Sequence, residues 1–470
     1  MLRVHLAELR DSWSAWLGVA IAFIVINAAL ANPAEILASG IHATRTGQLD
    51  PLSSSGYTAS QGLMILMVSL VAGPVIGSVT GPVVDSRRGS LARLALAGAA
   101  PRQIRATILS QLVAVSLACA VLGDVLAAAL TRPPLMLLAY NQRDEDYFQV
   151  IDVHWSVWPF LGANLLCVVV ALLGGSKHAR RASLTPPVEA LRQATAPLTR
   201  RGLGVSGWLK TIVPALVIAG TCAAIAPIIT FSGKERISNL VILDAFQIFL
   251  WGFLLAALAP VLVQPVTRAW TCLVPSTHSA WVLARSTVTA RADRMRRSIT
   301  PVMFAVGIAV AELGMGASLI ASLEASGMHL GLTTGDRGTF VMISGPPLAA
   351  AFAGSIGSLI MMSRQRDAEL ALLGITGATP GQRVAGPAIE ALIITVRAVL
   401  LSLGMIVPTY IYQAVAVTRA GLTWRASVPW LTALAVVAVC ALITLASTVL
   451  PTLRARKQPE NRVIARLVAE

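Results

Sequence analysis

Six side chains that could do chemistry lie inside long apolar stretches of the sequence. They are Gln111, Asp124, Asp244, Glu312, Glu390 and Arg397. A charge in the middle of a lipid bilayer costs about 2.5–3.5 kcal/mol on insertion scales, so each charged residue needs a partner or a water-filled cavity. Residues of this kind bind substrates, carry protons or make structural hydrogen bonds. Glu390 and Arg397 are seven residues apart, which places both on one face of a helix.

The elements that position these residues are predicted to be membrane-spanning helices. The chain has 470 residues, of which 56% are hydrophobic and 13% charged, and its mean hydropathy is +0.73. About 20 helical residues cross a hydrocarbon layer of about 30 Å. Ten apolar stretches are long enough, and they run over Ala15–Ile36, Gln61–Val83, Ile104–Leu130, Trp155–Gly174, Ile212–Phe231, Ile242–Leu262, Ile299–Leu323, Phe340–Met362, Ala388–Val407 and Trp430–Leu450.

The basic residues indicate how the chain crosses the membrane. The net charge is +15, and one set of alternate loops holds 28 Lys and Arg against 8 in the other set. By the positive-inside rule, this asymmetry predicts that both termini are cytoplasmic. The charge is therefore explained by topology, and no nucleic-acid partner is expected. We predict a multi-pass protein of a bacterial plasma membrane.

Two similar halves follow one another along the chain. Leu91–Gln103 (LARLALAGAAPRQ) and Leu370–Gln382 (LALLGITGATPGQ) are identical at seven of thirteen positions, at an offset of 279 residues. Ala38–His42 (ASGIH) and Ala325–His329 (ASGMH) match at an offset of 287. Two matches in the same order predict a duplicated four-helix unit in parallel orientation. The predicted fold class is an all-α membrane protein with ten transmembrane helices, arranged as two parallel four-helix units plus a two-helix connector.

The predicted organisation has three parts. Residues 1–180 form the first four-helix unit with an N-terminal interfacial helix, and residues 181–280 form a linker and two connector helices. Residues 281–470 form the second unit, with a preceding interfacial helix and a cytoplasmic tail. Glu390 aligns with Gln111 at the offset of 279, which favours a structural hydrogen bond between the units over proton transport.

Three further patterns have a predicted role. Glu312, in the middle of the seventh stretch, is expected either to bind substrate or to bond to the facing unit. A GxxxGxxxG row in the second stretch predicts close approach of another helix, and it consists of Gly73, Gly77 and Gly81. His42 and His329 are predicted at equivalent external places, where lone histidines are more often solvated than engaged in pH sensing or metal binding.

Three segments of the chain resemble the MacB/FtsX-like permease family. They are Arg364–Gln382 (RQRDAELALLGITGATPGQ) with Glu390 eight residues beyond it, Thr185–Arg192 (TPPVEALR), and the basic run Leu283–Pro301. The layout of four, two and four spans is similar to that of bacitracin-export-type permeases. Those relatives usually carry a sizeable extracellular domain, whereas the corresponding loops here, Leu37–Ser60 and Glu324–Thr339, are short. A substrate is therefore expected to meet the helices directly.

The resemblance implies the permease subunit of an ABC transporter. No GxxxxGK[ST] phosphate loop occurs in the sequence, so ATP and Mg are expected to be bound by a separate ATPase, in two copies per permease. Besides membrane lipid, the expected ligand is an amphipathic or hydrophobic substrate such as an antimicrobial peptide, a lipid or a drug. The alternatives are an FtsX-like transmembrane signal transmitter that controls an extracellular partner, and an ion-driven secondary transporter. No catalytic, cofactor-binding or metal-binding residue is predicted in this chain.

The repeated cytoplasmic segments are the predicted contact with the ATPase. In each, an apolar helical stripe leads to a Gly-Ala-x-Pro corner, which ends one helix and redirects the chain. The alternative is a tight turn whose arginines touch only lipid headgroups. The predicted coupling residues are Leu91, Arg93, Leu94, Gly98, Pro101, Arg102 and Gln103 in the first repeat, and Glu369, Leu370, Leu373, Gly377, Pro380 and Gln382 in the second.

Overall fold

Helices account for nearly all of the chain that the structure, a computed structural model, describes. The described residues are 13–49, 51–141, 151–184, 205–228, 233–274, 276, 278–290, 292–327, 345–358, 360 and 379–455, and they contain no strand. The helices are α1 (Trp13–Arg45), α2 (Pro51–Ser86), α3 (Arg88–Leu96), α4 (Pro101–Asn141), α5 (Val157–Ser183), α6 (Val205–Ile228), α7 (Gly233–Cys272), α8 (Ser279–Ala290), α9 (Ala292–Ala325), α10 (345–358), α11 (Pro380–Arg419) and α12 (Trp430–Ala455).

Nine of the described helices are long and apolar enough to cross a membrane. They are α1, α2, α4, α5, α6, α7, α9, α11 and α12. The protein is therefore an all-α, multi-pass membrane protein, as the sequence predicts. Of the expected eighth span, Phe340–Met362, residues 345–358 and 360 are described and helical, so the count of ten spans stays a prediction.

Several helices continue past the apolar stretches that predicted them. α1 ends at Arg45 rather than near Ile36, and α2 already begins at Pro51. The predicted loop Leu37–Ser60 is therefore wrong, because only residues 46–50 separate the two helices. Apolar composition reports contact with lipid, whereas a helix satisfies its own backbone hydrogen bonds and can extend into water.

Contacts divide the chain into two compact units. The first comprises residues 1–199, 312–354 and 421–428. In it, α1, α2, α4 and α5 form a four-helix bundle in which α1 packs against the other three helices. Fully buried apolar side chains such as Phe23 and Met67 fill its interior. The predicted parts, with boundaries near residues 180 and 280, are each continuous in sequence, whereas the compact units combine separate ranges of the chain. The predicted division stays a prediction.

The second compact unit comprises residues 200–311, 355–420 and 429–470. Its α7 packs against α6 and α11, and α11 packs in turn against α12. The short helix α8 packs against both α7 and α11 through a buried stripe of Trp281, Ala284 and Val288, whose spacing places them on one helical face. It occupies part of Trp281–Arg297, the segment predicted to be the second interfacial helix. The first interfacial helix was predicted from Leu2, Leu6, Leu9 and Trp13, and residues 1–12 lie outside the described residues.

Candidate functional site

α3 ends in a Schellman motif centred on Gly98. The N–H of Gly98 donates to the carbonyl oxygen of Ala95 at 3.0 Å, and the N–H of Ala99 donates to that of Leu94 at 3.0 Å. Gly98 has a φ of +94°, a conformation that glycine adopts without the steric penalty of a Cβ atom. This glycine therefore ends a nine-residue helix and turns the chain toward α4.

The repeated Pro-x-Gln sequence starts the two helices that follow the corners. Pro101 is the first residue of α4, and Oε1 of Gln103 accepts the N–H of Ala100 at 2.8 Å. In the second repeat, Thr379 and Gln382 form a full capping box, with each side chain accepting the other's N–H at 3.3 and 3.0 Å. Proline at the first helical position and glutamine at the third are therefore local signals for a helix start. These signals account for part of the sequence identity between the two repeats, and that part needs no contact with a partner protein.

Exposure divides the predicted coupling residues of the first repeat. Leu91 is only 7% exposed, so it attaches α3 to the protein, and its predicted role in coupling stays a prediction. Leu94 is half-buried, whereas Leu96, which was not predicted, is 61% exposed. The remaining predicted residues of this repeat are exposed beside Leu96, namely Arg93, Gly98, Pro101, Arg102 and Gln103.

The second repeat is described only from its helix start onward. Pro380 and Gln382 lie in the first turn of α11. Four predicted coupling residues lie outside the described residues, namely Glu369, Leu370, Leu373 and Gly377. The role of this segment in coupling stays a prediction.

Arg87 connects the start of α3 to the bundle. It lies between α2 and α3, and its Nη1 donates to Oε1 of Gln111 on α4. Gln111 is only 3% exposed. The bond between Arg87 and Gln111 is local to the first compact unit, and the predicted bond between the repeats stays a prediction.

Asp124 lies in a three-helix polar cluster of the first compact unit. Nδ2 of Asn27 on α1 donates to its Oδ1 at 2.8 Å, and Nδ2 of Asn164 on α5 donates to its Oδ2 at 3.0 Å. Asn27 also donates to the carbonyl oxygen of Ala120 at 3.1 Å. Both carboxylate oxygens of this intramembrane acid are therefore satisfied by neutral amides, which favours a structural role.

A second polar cluster joins α6, α7 and α11 in the second compact unit. Gln247 donates to Oγ1 of Thr221 at 2.8 Å, and the Tyr412 hydroxyl donates to the Thr221 carbonyl oxygen at 3.2 Å. Asp244, one turn before Gln247, is 3% exposed and hydrogen-bonds to Gln413. Asp244, which as an intramembrane acid was expected to need a partner or a water-filled cavity, thus belongs to a network of side chains.

The other three predicted intramembrane residues lie on α9 and α11. Glu312 on α9 and Glu390 on α11 are half-buried. Arg397 is fully buried, and its Nη1 donates to Oγ1 of Thr267 on α7 at 3.0 Å. The predicted common face of Glu390 and Arg397 follows from their spacing on one continuous helix.

Gly73 and Gly77 lie where α2 meets α5. A Cβ atom added to Gly174 of α5 would lie 3.1 Å from the Gly73 carbonyl oxygen and 3.3 Å from the Gly77 nitrogen. Backbone thus approaches backbone along this part of the glycine row, in the manner of small-residue packing in membranes. Gly81, the third member of the row, is buried.

An extended segment, which we call the first strap (residues 151–156), is bound to the end of α1. Ser39 Oγ accepts the N–H of His154 at 3.1 Å, and Glu35 Oε1 accepts the N–H of Ser156 at 3.0 Å. His42 was predicted in a loop, but it lies in the last turn of α1, and its ring stacks on that of His154 with centroids 3.8 Å apart. His329 lies outside the described residues.

The second strap (residues 423–427) is bound to α9 by three serines spaced four residues apart. Ser326, Ser322 and Ser318 accept the N–H groups of Thr423, Arg425 and Ser427 at 3.1, 2.9 and 2.9 Å. Serines four residues apart on a helix are separated by about 6.0 Å along its axis, and alternate residues of an extended segment are separated by about 6.6 Å. Because these two spacings are similar, successive serines can accept the N–H groups of alternate strap residues. The first strap leads into α5 and the second into α12, the fourth span of each repeat. Trp158 and Trp430 are exposed at the start of these helices, as is typical of tryptophans at a membrane interface.

Several residues of these sites were missed from the sequence. Asn27 and Glu35 are polar positions within the first apolar stretch, and this is the signal that could have identified them. Gln247 is a polar interruption of the same kind in the sixth stretch, whereas Tyr412 and Gln413 lie beyond the end of the ninth stretch, in the part of α11 that the sequence did not predict. None of them could be paired with a partner from its spacing, because the partners are distant in the chain.

Comparison with known proteins assigns these features to a family. The family model described as FtsX-like permease C-terminal matches residues 62–185 and 341–459. The two matched ranges contain the two corners and end just beyond the fourth span of each repeat. No curated protein gave a significant match. Permeases of this family are membrane subunits of the ABC transporter type that generally work with an ATPase partner. With more than half of its residues matched in two successive copies, the chain belongs to the FtsX-like permease family.

Proposed function

We propose that this chain couples ATP hydrolysis by two copies of a separate ATPase to export or extraction of an amphipathic or hydrophobic substrate. In this proposal both termini and both corners lie in the cytoplasm of a bacterial cell, and the ATPase supplies the ATP and Mg sites. The charge asymmetry of 28 to 8 basic residues between alternate loops supports this orientation. The duplication supports two ATPase copies, because one chain carries both contact segments.

The observation that carries the proposal is the exposed tip of α3. Leu96 is 61% exposed at the end of a helix that is otherwise attached through Leu91, and Arg93 and Arg102 flank the tip. A leucine side chain gains about 1.5–3 kcal/mol when it is transferred from water into an apolar pocket. The matching partner surface has an apolar pocket with acidic residues around it, since charge complementarity favours association.

The test is copurification of the permease with an ABC ATPase identified by purification of the permease from its native membrane. Leu96→Ala is expected to weaken retention of the ATPase about tenfold, in line with a loss of about 1.4 kcal/mol. Leu165→Ala on α5 is the matched control, because Leu165 is 67% exposed on a membrane-spanning helix of the same unit. Equal retention by the two variants would refute the assigned contact.

Transport is tested with the copurified pair in proteoliposomes. ATP-dependent movement of a fluorescent phospholipid or an amphipathic peptide is the expected result. ATP hydrolysis without movement, together with a change in an extracellular hydrolase, would favour the signal-transmitter alternative. Movement driven by an ion gradient without any ATPase would favour the secondary-transporter alternative.

A further inference from the structure

Several buried hydrogen-bond donors of α7, α8 and α11, in the second compact unit, have no acceptor among the residues that the structure describes. Arg397 on α11 is 0% exposed and makes its hydrogen bond to Thr267 of α7 through Nη1. Its Nε and Nη2 are buried and have no acceptor among the described residues. A fully buried guanidinium with two unsatisfied nitrogens is a costly feature in a membrane-spanning helix.

Two tryptophans add donors of the same kind. Trp270 lies three residues after Thr267 on α7, a rise of about 4.5 Å, and its ring meets that of Trp281 on α8 edge to face. The ring centroids are 6.0 Å apart. Both Nε1 atoms are buried and lack an acceptor in the part of the chain that the structure describes. An indole N–H can only donate, so no rearrangement within the pair supplies the missing acceptor.

The chemistry of this donor cluster (Arg397, Trp270 and Trp281) specifies its ligand. An unsatisfied buried donor is energetically costly, and a charged one costs more. The deficit is entirely of acceptors, and the only charge in the cluster is positive. A group with a negative charge and several oxygens satisfies both requirements, and a phosphate pairs well with the planar fork of arginine.

The location of the cluster favours a lipid as the source of that phosphate. Thr267 lies five residues before the end of α7, which is about 7.5 Å along the helix axis. α8 follows at this end with Val282 and Leu283 exposed at 52% and 45%, as in a helix that lies at a membrane interface. On the same helix, Nη2 of Arg285 donates to a weak acceptor, Sγ of Cys272, at 3.3 Å.

We propose that the donor cluster binds the phosphate group of an anionic phospholipid, which enters where Trp281 covers Trp270. Arg397 supplies the charge, and the two indole N–H groups donate to the phosphate oxygens. Arg285 lies on the path of the headgroup and adds to its attraction. The donor cluster belongs to the second compact unit, whereas the α3 tip proposed to contact the ATPase belongs to the first.

The test is native mass spectrometry of the purified chain in detergent with phosphatidylglycerol, phosphatidylcholine or inorganic phosphate added at equal concentration. We expect one retained phosphatidylglycerol per chain, weaker retention of the zwitterionic lipid, and no displacement by inorganic phosphate. Arg397→Gln is expected to lower phosphatidylglycerol retention about tenfold, and Arg397→Lys is expected to restore part of it. Unchanged retention in Arg397→Gln, or displacement of the lipid by inorganic phosphate, would overturn the proposal.

A milder pair of variants separates lipid binding from folding. Trp281→Phe keeps an aromatic ring against Trp270 but removes the donor, and we expect severalfold weaker retention of phosphatidylglycerol. Trp16→Phe is its control, because the Nε1 of Trp16 is also buried without an acceptor among the described residues but lies on α1 of the first compact unit. If the two variants retain the lipid equally, the donor cluster is not the site.

Discussion

Ser39 and Ser326 are equivalent residues of the two repeats, and each hydroxyl accepts a backbone N–H from an extended strap. The donors are His154 and Thr423, both at 3.1 Å. Each serine is the second residue of a matched pentapeptide, ASGIH or ASGMH. The repeated sequence therefore marks the point where the segment that precedes the fourth helix is attached to the first helix of each repeat.

Removing the Ser39 hydroxyl is expected to loosen the first strap. Ser39→Ala leaves the N–H of His154 without its acceptor, at a cost of about 0.5–1.5 kcal/mol. Amide hydrogen exchange of residues 151–156 should accelerate about two- to tenfold, because local opening needs correspondingly less free energy. Hydrogen–deuterium exchange with mass spectrometry measures this rate.

The matched control for the strap is Ser69→Ala on α2. Ser69 donates at 2.6 Å to the carbonyl oxygen of Ile65 in its own helix, and so its loss should leave strap exchange unchanged. Ser326→Ala should accelerate exchange at Thr423 in the same way as Ser39→Ala does at His154. If both variants exchange as the unmodified protein does, these hydrogen bonds do not hold the straps.

Close packing between α1 and α4 predicts the effect of a single methyl group. A Cβ atom at Gly123 would lie 2.8 Å from the Asn27 Cβ and 2.9 Å from the Ile24 carbonyl oxygen. Gly123→Ala should therefore destabilise the protein by about 1–3 kcal/mol, because the backbone of α1 must shift. The midpoint of thermal unfolding in detergent measures the loss.

Gly162 on α5 provides the comparison for Gly123. A Cβ atom there meets no heavy atom within 4 Å, and alanine raises helix propensity by up to about 1 kcal/mol. Gly162→Ala is expected to leave the unfolding midpoint unchanged or to raise it. Equal midpoints for the two variants would show that α1 leaves room for a methyl group at Gly123.

The bond between Arg87 and Gln111 predicts opposite outcomes for two substitutions at one position. Gln111→Glu should preserve or raise the unfolding midpoint, since a carboxylate makes a stronger, charge-assisted bond to arginine. Gln111→Leu should destabilise the protein by about 1–3 kcal/mol, because it removes this acceptor from a buried site. At the offset of 279, Glu390 aligns with Gln111, and Arg366, which lies outside the described residues, aligns with Arg87.

A double-mutant cycle tests whether the effect of Gln111 runs through Arg87. In an Arg87→Met background, Gln111→Leu should cost clearly less than it does alone, since the donor is already absent. Additive losses in the two unfolding midpoints would mean that Gln111 acts through other neighbours.

The candidate site was predictable to the extent that its signals are local. Gly98 and the Pro-x-Gln sequence identified the corner correctly, because a helix end and a helix start depend on residues within one turn. The exposure of Leu96 and the burial of Leu91 were not predictable. They depend on which face of α3 meets the bundle, and the apolar pattern of a nine-residue helix leaves that open.

The sequence by itself determined that the protein is a membrane protein, that it is helical and that it contains two repeated units. These properties follow from composition and from matches along the chain, and lipid leaves a spanning segment few alternatives to a helix. Only the tertiary structure decided which polar residues pair. Asp124 meets Asn27 across 97 positions and Arg397 meets Thr267 across 130, because partners within a bundle are set by lateral packing of helices rather than by distance along the chain.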